Sequence, residues 1–295
     1  AEIDITATAS IGIVITVGLM ALLFWGYILF HDSSGTGLFA QILYGFAVVG
    51  LICVTALPAY VNFKNPPVMG CELEWYVQAP RDAALIERIH QQAGYPVKAE
   101  EGPGQFEACW DETGNLDALA AAVDDFKQRL SDAAHAEGAM VTFAAKPFAG
   151  ERGSALQLHI HLEDVSGKRL FEKQGEHLSS YLLHALGGLL ETLPEAMPVF
   201  AASDSAQARL QPGQDAPTTI SWGGNNRTVA LRLPMKRGSL CHIEHRVPAA
   251  DADVRACIAA ILCGVHYGLS HRCQPGPQTH GNASDAQYPL TPLMG

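Results

Sequence analysis

Three short segments of this chain set ionisable or metal-ligating side chains two positions apart: Glu72 and Glu74; Gln157, His159 and His161; His242, Glu244 and Arg246. In an extended strand, residues i and i+2 point to the same face. Each set would therefore present its polar groups together. Two carboxylates side by side repel unless a cation lies between them. Oxygen-rich clusters with an occasional imidazole suit Mg²⁺ or Mn²⁺. Taken singly, each pair is also what an ordinary solvated strand face shows, and the His-Ile-His triplet alone is a weak metal signal. Several such sets in one chain, with a Gly-Pro-Gly turn flanked by Glu100 and Glu107, point instead to one shared cation site.

The elements that must position these groups can be read from periodicity. Strand-like alternation covers 71–77, 155–164, 218–222, 228–234 and 240–248, and helical spacing covers 81–93, 116–137, 178–192 and 252–266. Strands and helices do not alternate strictly. The expected class is therefore α+β with a largely antiparallel sheet, not a dinucleotide-binding fold. Neither a GxGxxG nor a GxxxxGK[ST] phosphate loop is present. The 295 residues carry a net charge of −11, which excludes a surface built to coat nucleic acid. Seven cysteines with irregular spacing and no CxxC pair fit neither a disulfide framework nor a zinc ribbon, and a reducing compartment is the simpler reading.

The first 66 residues read differently. Residues 5–30 and 33–63 contain no charged side chain, and each run holds the roughly 20 apolar residues that a membrane-crossing helix needs. The expectation is two transmembrane helices at about 9–30 and 37–58, then a domain from 67 to 295 whose tail, from Gln274, is irregular. The alternatives are a buried core hairpin or a signal peptide; the acidic start Ala-Glu-Ile-Asp disfavours the latter. Lys64 after the second run, against Asp32 alone in the link, orients the domain to the cytoplasmic side of a lipid bilayer. Gly18, Gly26, Gly45 and Gly50 would allow close packing against partners in a larger membrane complex.

Read in order, the stretches CELEWYV (71–77), EEGPGQFE (100–107), AAKPFAGERGSALQLHIHL (144–162), ISWGGNNRTVALRLP (220–234) and IEHRVPAADAD (243–253) resemble the catalytic domain of glutamine synthetase and the related γ-glutamyl–amine ligases. The resemblance runs over about residues 69 to 290 and implies the family's catalytic fold. It also implies ATP-dependent joining of a glutamate-like carboxylate to ammonia or an amine through an acyl phosphate, with Mg²⁺ or Mn²⁺ as cofactor, in a homo-oligomer. By resemblance, one cation would lie on Glu74, Glu100 and Glu107, and a second on Glu72, Glu244 and Gln157. His159 would face nucleotide and substrate. Arg227 and Arg232 would stabilise phosphate, and Arg246 and Arg209 would bind the substrate carboxylate. Arg246 also falls at the acyl phosphate, and Asp215 at the flap position of the catalytic machinery. A planar guanidinium suits such bidentate oxyanion contacts.

The chain also departs from the family pattern. Gln157 stands where the family carries a metal-binding His. Around Arg209 the rest of the family's segment is lost, and DADVRA (251–256) replaces NPYL. In family members a β-grasp domain precedes the ELE strand; here the apolar runs stand in that place. Two functions stay open: a membrane-tethered ligase, or a catalytically impaired member acting as subunit or sensor of a membrane complex.

Overall fold

The computed structural model describes residues 67–78, 83–173, 177–213, 216–234, 242–288 and 290–294. The two expected transmembrane helices and Asp215 lie outside them.

One sheet of eight strands carries the domain: β1 (Pro67–Gln78), β2 (Lys98–Ala99), β3 (Gln105–Thr113), β4 (Met140–Thr142), β5 (Leu156–Leu162), β6 (Trp222–Gly223), β7 (Leu231–Arg232) and β8 (Ile243–His245). The order is β2-β3-β1-β5-β8-β7-β6, with β4 also paired to β1. Every pairing is antiparallel except β6 with β7, so the sheet is mixed rather than purely antiparallel.

Alternation explains which face is which. Met69, Cys71, Leu73, Trp75 and Val77 of β1, and Leu156, Leu158, Ile160 and Leu162 of β5, are buried on one face. Helices cover that apolar layer: α1 (Ala83–Ala93), α2 (Leu116–Ala136), α3 (Ser180–Phe200) and α5 (Val254–His271). Along α2, Leu119, Ala120, Val123, Phe126 and Leu130 repeat at helical spacing and are buried, with Phe126 against Trp75 at 5.2 Å between ring centroids. Side-chain caps at Asn115, Ser179 and Asp253 satisfy free N–H groups at the starts of α2, α3 and α5. Among the described residues, Val254–His271 is the one helix long and apolar enough to cross a membrane. It is half buried within the domain and packs against α3 and α2 as a core helix.

Two expectations are corrected and one element is added. The runs at 218–222, 228–234 and 240–248 yield only two- or three-residue strands, because their flanks bond to loops: Ile220 N–H donates to Thr291 O and Asn226 Nδ2 to Gly281 O. The helix expected over 178–192 continues to Phe200 through Pro194 and Pro198; buried Leu193 and Phe200 hold its extra turns in the core. A six-residue helix, α4 (Asp204–Arg209), capped by Ser203, was not read from the sequence.

Candidate active site

The polar face of the sheet gathers residues that lie far apart in the chain. Register places Glu72 of β1 opposite both Cys109 of β3 and Gln157 of β5, and Glu74 opposite Glu107. His159 of β5 is opposite Glu244 of β8, which in turn is opposite Arg232 of β7. Cross-strand partners share a face, so these groups form one continuous polar surface.

Two glycines make this register possible. At the bulge between Met69 and Cys71, a Cβ on Gly70 would lie 2.7 Å from Trp110 O. Gly104 has φ +79°, the left-handed conformation that turns the chain from Glu100 back into β3. That turn is closed by Gln105 N–H donating to Gly102 O and Glu100 N–H to Gln105 O, each 2.9 Å.

At the β3 end, carboxylates crowd. Glu72, Glu107 and Cys109 each offer a ligand atom within 4.8 Å of the others, and the Glu100 carboxyl reaches hydrogen-bonding distance of Glu107. Burial, then the charge of Glu72, pushes the Glu107 carboxyl up to about 7. Lys98 Nζ lies 2.6 Å from Glu107 Oε1, and Cys109 Sγ donates to the same oxygen at 2.9 Å. Burial and this carboxylate together push the Cys109 thiol up to about 12.

Glu74 sits deeper, and burial raises its pKa. Its Oε1 accepts from Gln157 Nε2 at 3.0 Å and its Oε2 from Ala155 N–H at 3.0 Å. Toward β8 the charges reverse. Glu244 is 2% exposed. Its Oε1 pairs with Arg246 Nη1 at 2.5 Å and its Oε2 with Arg232 Nη1 at 2.8 Å. Burial alone would raise the Glu244 pKa, but Arg246, Arg232 and His159 outweigh it and hold it low. Gln157 Oε1 accepts from the same Arg246 Nη1 at 2.9 Å.

Between these two ends opens a cavity of about 310 Å³, lined by Glu72, His159, Asn225, Arg232, Pro234, His242 and Glu244. His159 Nε2 is 3.6 Å from Glu72, and its ring stacks on His242 with centroids 4.9 Å apart. His161, the third of its set, does not line the cavity: it is fully buried, meets Glu163 at 3.0 Å and shares Glu112 with His242, each at 3.7 Å.

The expected residues are thus divided. Glu72, Glu74, Glu100, Glu107, Gln157, His159, Arg232, Glu244 and Arg246 converge. Arg209 lies behind them, fully buried, with both terminal nitrogens donating to backbone: Nη1 to Val247 O at 2.9 Å and Nη2 to Arg246 O at 2.7 Å. Burial lowers its pKa to about 10, so it stays charged at neutral pH. Arg227 is exposed on the turn between β6 and β7 and does not line the cavity. Reading the sequence missed Lys98, Asn225 and Cys109. Cys109 had a usable signal, lying two residues after Glu107 on the same strand face.

The crowded carboxylates at the β3 end fit a hard divalent cation. Ligand atoms of Glu72, Glu107 and Cys109 converge, and burial, then the charge of Glu72, raises the Glu107 pKa. In the set expected for a second cation, the oxygens of Glu244 and Gln157 accept from the guanidinium groups of Arg232 and Arg246.

Comparison with known proteins agrees with this geometry. Residues 82–289 match the family model described as glutamine synthetase, catalytic domain. The chain is 34% identical over 195 residues to γ-glutamylputrescine synthetase PuuA of Escherichia coli (strain K12), covering 64% of this chain and 40% of that protein. It is 30% identical over 245 residues to type-1 glutamine synthetase 2 of Dictyostelium discoideum, covering 70% and 47%, and 32% identical over 220 residues to glutamate–isopropylamine ligase of a Pseudomonas species, covering 71% and 46%. The chain thus spans less than half the length of these relatives. In fold it resembles the solved GmaS/ADP complex, with a TM-score of 0.72 at 23% identity over 83% of this chain and 65% of that one. Glu72 and Glu74 precede the matched segment and reach the site through the pairing of β1. On its matched segment and its fold, the chain belongs to the glutamine synthetase catalytic-domain family.

Proposed function

We propose that the chain carries the chemical step of an ATP-dependent ligase joining the side-chain carboxylate of a glutamate-like acid to ammonia or an amine. The observation that carries this reading is the convergence of Glu72, Glu74, Glu100, Glu107 and Glu244 with Arg232 and Arg246 on one face of the sheet, beside a cavity. The names of the relatives, which join glutamate to putrescine or isopropylamine, support the substrate class.

In this reading the acid's carboxylate oxygen bonds to the γ-phosphorus of ATP as the bond to ADP breaks. The amine nitrogen then attacks the acyl carbon, inorganic phosphate leaves, and the nitrogen loses a proton. Such transfer asks for positioning and for positive charge on the transferring oxygens. Glu72, Glu107 and Glu100 would hold a Mg²⁺ or Mn²⁺ ion, which when bound neutralises phosphoryl charge. Arg232, held by Glu244 and by Asn225 Oδ1, and Arg246, held by Glu244 and Gln157, are pre-oriented donors for oxyanions. Glu74 and Gln157 fix one another and keep β1 and β5 in register. His159, between Glu72 and His242 in the cavity lining, would contact substrate or nucleotide.

We also propose, from the length of the uncharged runs, that residues 9–30 and 37–58 tether this domain to a membrane with the domain on the cytoplasmic side. Retention of the full chain in the membrane fraction after carbonate washing tests this, and release into the supernatant would refute it.

The decisive experiment for the ligase is phosphate release by the full chain with Mg·ATP, glutamate and a panel of ammonia and primary amines, beside calorimetry of Mg·ATP binding. Amine-dependent release supports the proposal. Binding without release from any amine supports the impaired subunit or sensor, which the replacement of a family His by Gln157 favours.

A further inference from the structure

We infer that Glu112 is a positioning residue of this site: from outside the cavity, its carboxylate sets the imidazole of His242 and, through the stack of that ring on His159, the wall against which substrate is bound. The inference deepens the ligase reading and rests on it for what the cavity takes.

Register brings Glu112 to the polar face. Strict alternation along β3 would put Glu112 with Trp110, on the side that the helices cover. The bulge between Met69 and Cys71 places one extra residue on β3, since Cys71 pairs with Trp110 and Met69 with Thr113. Beyond that point the faces of β3 are exchanged, and Glu112 joins the side of Glu72. Gly70 of β1, which pairs with His159 of β5, puts no side chain on that face at the bulge. His161 follows two residues later on the same face of β5, and His242 directly precedes β8.

One carboxylate then meets three groups. Its Oε2 pairs with Arg169 Nη2 at 2.5 Å. Its Oε1 lies 3.7 Å from Nδ1 of His161 and 3.7 Å from Nδ1 of His242, and both rings are buried. At that distance the contacts are electrostatic rather than hydrogen bonds. Burial alone would raise the Glu112 pKa, but the hydrogen bond from Arg169 and the two imidazoles outweigh it and hold it low. A charged oxygen facing a ring nitrogen favours a proton on that nitrogen, which sets the tautomer and the tilt of the ring. His161 is held at its other edge by Glu163 at 3.0 Å and does not line the cavity. His242 does line it, and stacks on His159 with centroids 4.9 Å apart and planes 17° from parallel. A ring packed in this way cannot turn without displacing its neighbour. The orientation that Glu112 imposes on His242 is therefore passed to His159, beside Glu72.

The test reads the rings directly. The full chain, carrying ¹⁵N-labelled histidine and no ligand, is compared by long-range ¹H–¹⁵N magnetic resonance as wild type, Glu112→Gln and Glu163→Gln, with His159→Asn and His242→Asn assigning the signals. Glu112→Gln keeps the side-chain volume and loses the charge. It is expected to move the ring-nitrogen signals of His242 and His159. Glu163→Gln, which alters the partner of His161 alone among these rings, is expected to move those two signals less than half as far. Unmoved His242 and His159 signals in Glu112→Gln, or an equal displacement in Glu163→Gln, would overturn the inference. Should Glu112→Gln fail to fold, Arg169→Met, which unfastens Oε2 of the same carboxylate, takes its place with the same expectation. Phosphate release separates this from the ligase reading. In a chain that turns over, Glu112→Gln should raise the KM for glutamate or Mg·ATP by about threefold or more and change kcat less than twofold. Both KM values unchanged sink the inference and leave the ligase standing; displaced ring signals in a chain without turnover do the reverse.

Discussion

Arg246 Nη1 donates to Gln157 Oε1 across 2.9 Å, and the other end of the same amide donates to Glu74 Oε1 across 3.0 Å. Gln157 therefore couples a guanidinium on one side to a buried carboxylate on the other, where a neutral residue with both a donor and an acceptor is required. Replacing it by Leu removes both bonds and leaves Glu74 short of a donor in the interior. The expected cost is about 1–3 kcal/mol, read as a lower midpoint in urea denaturation. Gln157→His, whose ring also carries one donor and one acceptor when neutral, should cost less than half as much. Equal stability of wild type and Gln157→Leu would show that the bridge contributes nothing.

Glu107 links stability to pH in an unusual direction. Its carboxyl is raised from 4.5 to about 7, so between those values the folded protein binds more protons than the unfolded chain. Stability then falls as pH rises through that window, by up to roughly 3 kcal/mol if this group acts alone. Thermal melting from pH 5 to 8.5 should show a decline that is shallower in Glu107→Gln, which cannot ionise. Mn²⁺ should flatten the wild-type decline, because a bound ion favours the ionised carboxylate. A wild-type curve parallel to that of Glu107→Gln would remove the group from this role.

Gly70 is predicted to be intolerant of any side chain. A Cβ there meets Trp110 O at 2.7 Å and Glu112 N at 3.2 Å, so β3 must move away from β1. The expected cost of Gly70→Ala is about 1–3 kcal/mol. The same shift separates Glu72 from Cys109 and Glu107, so Mn²⁺ affinity should fall several-fold in the population that remains folded. A stable variant with wild-type Mn²⁺ binding would mean that the sheet absorbs the methyl group without disturbing the site.

The long strands and the carboxylates they carry were legible because period-two alternation is local. CELEWYV and LQLHIHL state both their buried and their polar face in the order of residues, and the Gly-Pro-Gly turn announces the return toward Glu107. The short strands β6, β7 and β8 were not legible at their true lengths. Their edges are set by bonds to loops distant in the chain, such as Ile220 to Thr291. Lys98 was missed because its role depends on register with Glu107 across a two-residue strand. The ion pairs of Glu244 were missed for a related reason: Arg232 and Arg246 were legible as anion binders, but nothing local says that both meet the same carboxylate.

Arg209 offers the sharpest separation between a group that touches substrate and one that positions another. Both its terminal nitrogens are engaged with the carbonyls of Arg246 and Val247, so it braces the segment just beyond β8 from below. Removing it in Arg209→Met leaves two buried acceptors without those donors and deprives Glu74 of a compensating charge. A loss of about 2–4 kcal/mol is expected, and Arg246, still tied through its N–H to Ala230 O, loses the donor to its carbonyl. In Arg209→Lys the ammonium keeps the charge but cannot reach both carbonyls in a fixed fork, so stability should recover in part while affinity for Mg·ATP stays lowered. If Arg209 instead bound the acid substrate directly, Arg209→Met would raise the apparent KM for glutamate and leave both the melting temperature and nucleotide affinity unchanged. Measuring all three quantities in the two variants decides between bracing and direct contact.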